Sequence, residues 1–289
     1  MTSSTPRALR SHHKLDSRHI FTGQLELQTA LRISSGRADD RTDAPLIRTL
    51  DGVPYIPGTS LRGALRSAVE RLLSGVGKDV SQLCSCTLFT DSHCGDFIVQ
   101  EVNNRNVSGP ERDKLLQELA QEHLCDVCRL FGCAVYASRL VIADALPDAP
   151  RISQLQGRAR LRDGVGIDRD TGAARENVKF DYEVLESRGD CPTFGFEMTA
   201  ENLDETDTRL VNLILKILKG GLYVGGKRAG GLGLLRLQEQ TKTKNGQEKK
   251  FHYQVKCLTD LSSWWQALTA GQDLTKGLYR ECPDWKEIL

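Results

Sequence analysis

Residues 43–66 read DAPLIRTLDGVPYIPGTSLRGALR. A carboxylate, Asp43, precedes a short apolar run. The chain turns at Asp51-Gly52, passes Pro54 and Pro57, and reaches a Gly58-Thr59-Ser60 step that starts a helix bearing Arg62 and Arg66. Backbone N–H groups and the dipole make a helix N-terminus an anion site. Gly58 lets a backbone approach closely, and Gly63 keeps the first turn open. Arg62 and Arg66 lie four apart on one face, and guanidinium forks suit phosphate oxygens. These residue types predict a grip on a phosphate backbone with a carboxylate beside it. An ordinary solvated helix face is the competing reading.

The helix is predicted over 60–73, where Leu61, Ala64, Leu65, Ala68, Leu72 and Leu73 repeat at helical spacing. Thr59 or Ser60 caps it and Gly75 stops it. Upstream, residues 20–33 alternate, with Leu25, Leu27, Leu31 and Ile33 on one face of a half-buried strand. Downstream, strand character returns at 138–146 and at 193–200, the latter through Phe194, Phe196 and Met198. A helix over 207–219 carries Leu210, Val211, Leu213, Ile214, Ile217 and Leu218 and ends at Gly220-Gly221. A strand over 232–237 follows. Strand–helix–strand–strand–helix–strand predicts an α+β, ferredoxin-like core.

Two segments interrupt that core. Residues 78–135 hold six of the nine cysteines and a second amphipathic helix opening at Pro110. They read as an insertion. Residues 151–190 carry eight basic and eight acidic residues and few large apolar side chains, so they are solvated. With turn chemistry at 164–172, they predict a projecting two-stranded hairpin.

The cysteines suit a metal better than a disulfide framework, in a chain with no sign of export. Cys125-Asp126-Val127-Cys128 has the spacing of half a zinc site. Cys84, Cys86, His93 and Cys94 lie upstream, and His123 is near. We take Cys84, Cys94, Cys125 and Cys128 as the expected ligands of a closed structural zinc site, thiolates being soft donors. Reduced core cysteines are the competing reading.

A second glycine loop, GGLYVGGKRAGGLG at 220–233, imitates a nucleotide P-loop at Gly221 to Lys227. A helix precedes it, a strand follows, and Arg228 stands where Ser or Thr belongs, which excludes that motif. Gly226, Lys227 and Arg228 still suit a phosphate backbone. Neither G-x-S-x-G nor H-E-x-x-H occurs, and the six histidines lie mostly in the tail or beside cysteines. The remaining catalytic candidates are Asp39, Asp40, Asp43 and Asp51, in loops where acids also serve turns.

The 289 residues are 39% hydrophobic and 27% charged, which suits a globular protein with a core. A net charge of +1 confines any electropositive surface to patches. No apolar run approaches a membrane span, and residues 1–16 lack a signal-peptide core, so a cytoplasmic protein is expected. Residues 1–18 form a basic arm, either frayed or laid on an anionic partner. Residues 241–289 form a C-terminal extension with a lysine-rich loop, a strand near 251–255 and a short helix. Its Trp264 and Trp265 are read as packed on the core.

Taken together, the 43–66 stretch, CDVCRLFG at 125–132, GVGIDRDTGAARENVKFDYEVLE at 164–186 and the 220–233 loop resemble the RAMP-superfamily backbone subunit of type III CRISPR–Cas effector complexes. The resemblance covers roughly residues 20–240. It implies a modified RRM-like core over 19–240 with a zinc-bearing insertion and a protruding thumb hairpin. Copies or related subunits stack head-to-tail along a CRISPR RNA. By the same resemblance, Gly58, Ser60, Arg62 and Arg66 grip the guide, with Gly226, Lys227 and Arg228 in a similar role. Ile167 and Arg169 mark the thumb tip, which wedges into the guide–target duplex. Asp43 matches the aspartate that cleaves target RNA with a divalent metal such as magnesium. Asp39 and Asp40 are alternates. A non-catalytic RNA-binding subunit of the same machinery is the alternative.

Overall fold

The structure is a computed structural model and describes residues 9, 12–38, 40, 42–86, 93–147, 152, 155, 157–187, 192–244, 247–259, 261–270, 279–282 and 285. Asp39 lies outside the described residues. Strand β1 (Arg18–Leu27) buries Phe21, Leu25 and Leu27 on one face. Leu31 and Ile33 are buried too, but beyond the strand. There the chain leaves the sheet, and Leu31 exchanges backbone hydrogen bonds with Leu185 instead.

Helix α1 (Gly58–Val76) turns Leu61, Leu65, Val69 and Leu73 inward. Full burial of such side chains contributes about 1.5–3 kcal/mol each. The helix runs through Gly75 and stops at Gly77, whose φ of 80° is left-handed and whose N–H bonds Leu73 O. Helices α2 (Lys78–Ser81), α3 (Cys94–Asn104), α4 (Gly109–His123) and α5 (Asp126–Phe131) build the inserted unit. Strand β2 (Leu140–Ile142) follows. Strands β3 (Ala159–Ile167) and β4 (Ala174–Leu185) form a separate antiparallel hairpin, as the charge pattern predicted.

Strand β5 (Thr193–Glu201) leads to α6 (Glu205–Gly220). Asp204 and Asp207 cap α6 reciprocally. The short strand β6 (Leu222–Tyr223), a 3₁₀ turn at Arg228–Gly230 and β7 (Leu234–Leu237) complete the glycine loop. In the main sheet, β2 pairs β5, β5 pairs β1 and β1 pairs β7, all antiparallel. Helices α1 and α6 touch each other; α1 also touches β2, and α6 touches β7.

After the hairpin β8 (Gln240–Lys244) and β9 (Gln247–Phe251), strand β10 (Tyr253–Leu258) pairs the first half of β1, on the edge whose second half pairs β7. Strand β10 therefore extends the main sheet, while β8 and β9 form a two-stranded sheet of their own. Trp265, read as packed, is 59% exposed, and the Trp264 side chain lies outside the described residues. Trp285 is packed, edge-on to Phe21 at 4.9 Å and donating to Asn212 Oδ1 at 2.9 Å. Of the basic arm, Lys14 to Ser17 are tied to the body by Asn202. No helix among the described residues is long and apolar enough to cross a membrane.

Candidate functional site

The loop that carries Asp43 lies against the hairpin. Alternation along β4 sends Asp181 and Glu183 to one face and Phe180, Tyr182 and Val184 to the other. Asp181 Oδ1 accepts from the Thr42 hydroxyl at 2.5 Å and from the Asp43 N–H at 3.0 Å. Glu183 accepts from the Leu46 N–H at 2.9 Å and from Arg48 at 2.5 Å, and its own N–H donates to Ala44 O. The Thr42 hydroxyl, and after it the Asp43 N–H, hold the Asp181 carboxyl below the usual carboxylate range. Asp43 itself is exposed. Its backbone is fixed while its carboxylate faces solvent.

The start of α1 is closed rather than open. Asp144 accepts from the Gly58 N–H at 2.7 Å, so the helix already holds a carboxylate of its own chain. Gly58 is buried, and a Cβ there would fall 2.2 Å from Ile142 O. Its glycine serves the close approach of α1 to the end of β2. Ser60 is half-buried, and its N–H donates to Pro57 O.

The two arginines, expected on a phosphate backbone, turn inward, Arg66 to burial and Arg62 in part. Arg66 is only 6% exposed. Its guanidinium pairs with Glu70 at 2.8 Å and donates to Gly132 O at 2.8 Å and to Cys128 Sγ at 3.2 Å. Arg62 donates to Phe131 O, and burial, then the neighbouring Arg66, lowers its pKa from the usual guanidinium value. Helical spacing put both on one face correctly, but α5 covers that face. Arg66→Ala is expected to cost about 3–5 kcal/mol of stability, because it leaves Glu70 buried and unpaired. Urea denaturation of the full chain measures it, and Arg66→Met with Glu70→Met should recover part of the loss.

At the glycine loop, Gly226 N–H donates to Arg32 O at 2.8 Å. Lys227 has a φ of 55°, and its Nζ stands 4.3 Å from the Phe180 ring and 4.4 Å from Tyr182. A cation over two rings ties this loop to the hairpin. Arg228 is exposed. At the hairpin tip Asp168 accepts from the N–H groups of Asp170 and Thr171, and Ile167 (61% exposed) and Arg169 face solvent.

Cys86, Cys94, Cys125 and Cys128 bring their sulfurs within 4.8 Å of one another. Cys86 Sγ lies 3.5 Å from Cys94, 3.4 Å from Cys128 and 3.6 Å from Cys125. Tetrahedral zinc with Zn–S bonds of about 2.3 Å separates its sulfurs by about 3.8 Å, so the group fits a metal such as zinc. Cys125 is the N-cap of α5 and accepts from the Cys128 N–H. Contacts from Cys125, Cys128 and Cys94 push the Cys86 thiol down, while Cys125 above all pushes Cys128 up.

Cys84, expected as a ligand, stands apart. Its thiol donates to Asp126 Oδ2 at 3.1 Å, and burial, then Asp126, pushes its pKa up to about 11. Cys86 takes its place. The C-x-C spacing of Cys84 and Cys86 could not say which sulfur turns inward. The Asp126 carboxylate at the first turn of α5 decides it.

Sequence reasoning missed Asp144, Asp181 and Glu183. The i, i+2 carboxylates of β4 were a signal for one shared face, but their partners lie far away in sequence.

The sequence of the chain is similar to known proteins. The curated protein described as CRISPR system Cms endoribonuclease Csm3, from Methanothermobacter thermautotrophicus, is 21% identical over 243 residues, covering 76% of this chain and 83% of that one. The family model described as RAMP superfamily matches residues 24–236. That span runs from within β1 to within β7 and takes in α1, the cysteine group, the hairpin and the glycine loop, and the chain belongs to the RAMP superfamily.

Proposed function

We propose that the chain is a CRISPR RNA-binding backbone subunit of a type III effector complex, stacked head-to-tail with its neighbours, that cleaves complementary target RNA at Asp43. The order β7-β1-β5-β2 with α1 and α6 supports an RRM-like, ferredoxin-like core beneath it. The relative's endoribonuclease name supports the activity. The observation that carries the reading is the place of Asp43, an exposed carboxylate on a loop fastened to the hairpin base.

Asp43 would accept the proton of a target 2′-OH as that oxygen attacks the adjacent phosphorus in line. The P–O5′ bond breaks, the 5′-oxygen takes a proton from water, and the products carry a 2′,3′-cyclic phosphate and a 5′-hydroxyl. A divalent ion such as magnesium would supply charge neutralisation at the phosphate. Asp43 and the substrate phosphate suit it, because magnesium is commonly held by one or two carboxylates plus phosphate oxygens. Zinc would be held by the cysteine group, Cys86, Cys94, Cys125 and Cys128.

For guide and target binding, Ser60, Ile167, Arg169, Gly226, Lys227 and Arg228 are the proposed contacts. Structural roles are proposed for Arg66 and Gly58, which are buried, and for Arg62, which donates to Phe131 O. Arg169→Ala and Arg228→Ala are each expected to reduce the salt slope of RNA binding by about 0.7, while Arg66→Ala leaves it unchanged. Filter binding across a salt series measures this. The reading itself is tested by mapping cuts in complementary RNA with the assembled complex carrying Asp43→Ala. Unaltered cuts at every position would assign the chain a structural RNA-binding role.

A further inference from the structure

We propose that Asp181 is a positioning residue for Asp43, locking the Asp43 loop to the hairpin so that the two move as one body. The inference rests on the proposed cleavage role of Asp43 for its functional consequence, but not for the lock itself.

One carboxylate oxygen does the joining. Asp181 Oδ1 takes the Thr42 hydroxyl at 2.5 Å and the Asp43 N–H at 3.0 Å. Hydrogen bonds to an ionised acceptor are the short, strong ones. Thr42 is itself buried, and its Oγ1 accepts the Ala44 N–H at 3.2 Å. The hydroxyl therefore bonds on both sides of Asp43. Two residues along the same strand face, Glu183 takes the Leu46 N–H, and its own N–H donates to Ala44 O. Backbone groups at 43, 44 and 46 are thus held by β4 or by Thr42, and the Asp43 side chain is left exposed.

This wiring gives a motion of the hairpin a route to the carboxylate. A hairpin displaced by a bound duplex carries Asp181, and Asp181 carries the Asp43 backbone. Misplacing a catalytic group by about 1 Å costs on the order of 10²-fold in rate. Asp181 is half-buried and lies opposite Asp163 across the hairpin, where Lys179 and Asp163 form an exposed pair. Its removal takes one acceptor from the buried Thr42 hydroxyl, which keeps the Ala44 N–H. That costs some stability, and the substituted chain should still fold.

The test compares Asp181→Ala, Asp181→Asn and Thr42→Val with the unsubstituted protein. Hydrogen exchange on the full chain reads the amides of Asp43, Ala44 and Leu46, and the complex assembled on guide RNA reads cleavage of complementary RNA. Asp181→Ala is expected to speed exchange of these amides about 10-fold and to slow cleavage about 10–100-fold, with target affinity unchanged. Thr42→Val should act in the same direction. Asparagine keeps an acceptor at the same place, so Asp181→Asn should restore most of both. Unchanged exchange in Asp181→Ala overturns the lock. Asparagine as damaging as alanine overturns positioning in favour of a role for the charge itself. Faster exchange with undiminished cleavage, in a complex where Asp43→Ala also cuts normally, leaves the lock standing and removes Asp43 from the chemistry.

Discussion

Asp43→Ala is expected to slow cleavage of complementary RNA by about 10²–10⁴-fold in the assembled complex, with guide and target still bound. That range is what a positioned acid–base group contributes. The side chain is exposed, so its loss creates no cavity. The loop keeps its shape, because the contact from position 43 to Asp181 is made by the backbone N–H, which alanine retains. Thr42, Leu46 and Arg48 keep their own bonds to Asp181 and Glu183. A rate loss in this variant therefore reports on the carboxylate and not on folding. Asp43→Asn sharpens the result. Asparagine matches the size and polarity but accepts no proton at neutral pH, so it should be nearly as slow as alanine. Denaturing gels of end-labelled target read the rate, and the ends of residual product should still be 2′,3′-cyclic phosphate and 5′-hydroxyl. Wild-type rates in both variants would place the chain among structural subunits.

The helices were legible because burial is periodic. Leu61, Leu65, Val69 and Leu73 recur every four residues, and α1 forms around them. Its ends were less legible. Gly75 and Gly77 are both stop signals, and only tertiary contacts choose between them. The hairpin was legible from what it lacks, a core of its own. The cap of α1 was half legible: the sequence predicted an anion at Gly58, and an anion is there, but it is Asp144. The same limit explains Arg66. Spacing fixes which residues share a face, while what covers that face is set by α5, more than fifty residues away. Asp181 is a further case. Its strand face could be read, but not the loop that would lie on it.

Removal of metal is expected to lower the melting temperature by about 10 °C or more. Purified protein should carry about one equivalent of zinc, and a strong chelator should remove it together with that stability. Structural zinc contributes about 10–16 kcal/mol in small peptide sites. If even 4 kcal/mol of that is realised here, a domain of this size shifts by about 2–4 °C per kcal/mol. The insertion has reason to depend on the ion. Four sulfurs crowd together where α3 begins and α5 begins, and Arg66 reaches Cys128 from α1. A dication satisfies the thiolates at once. Without it, hydrogens must be shared among sulfurs beside the buried Leu130 and Phe131. Single substitutions separate the two ligand sets. Cys86→Ser, Cys94→Ser, Cys125→Ser and Cys128→Ser should each lose zinc and stability, measured by elemental analysis and thermal unfolding. Cys84→Ser should keep the metal, since a serine hydroxyl can still donate to Asp126. Zinc retained by Cys86→Ser and lost by Cys84→Ser would return the site to the set expected from spacing alone. A zinc-free preparation of unchanged melting temperature would leave the four cysteines as ordinary core thiols.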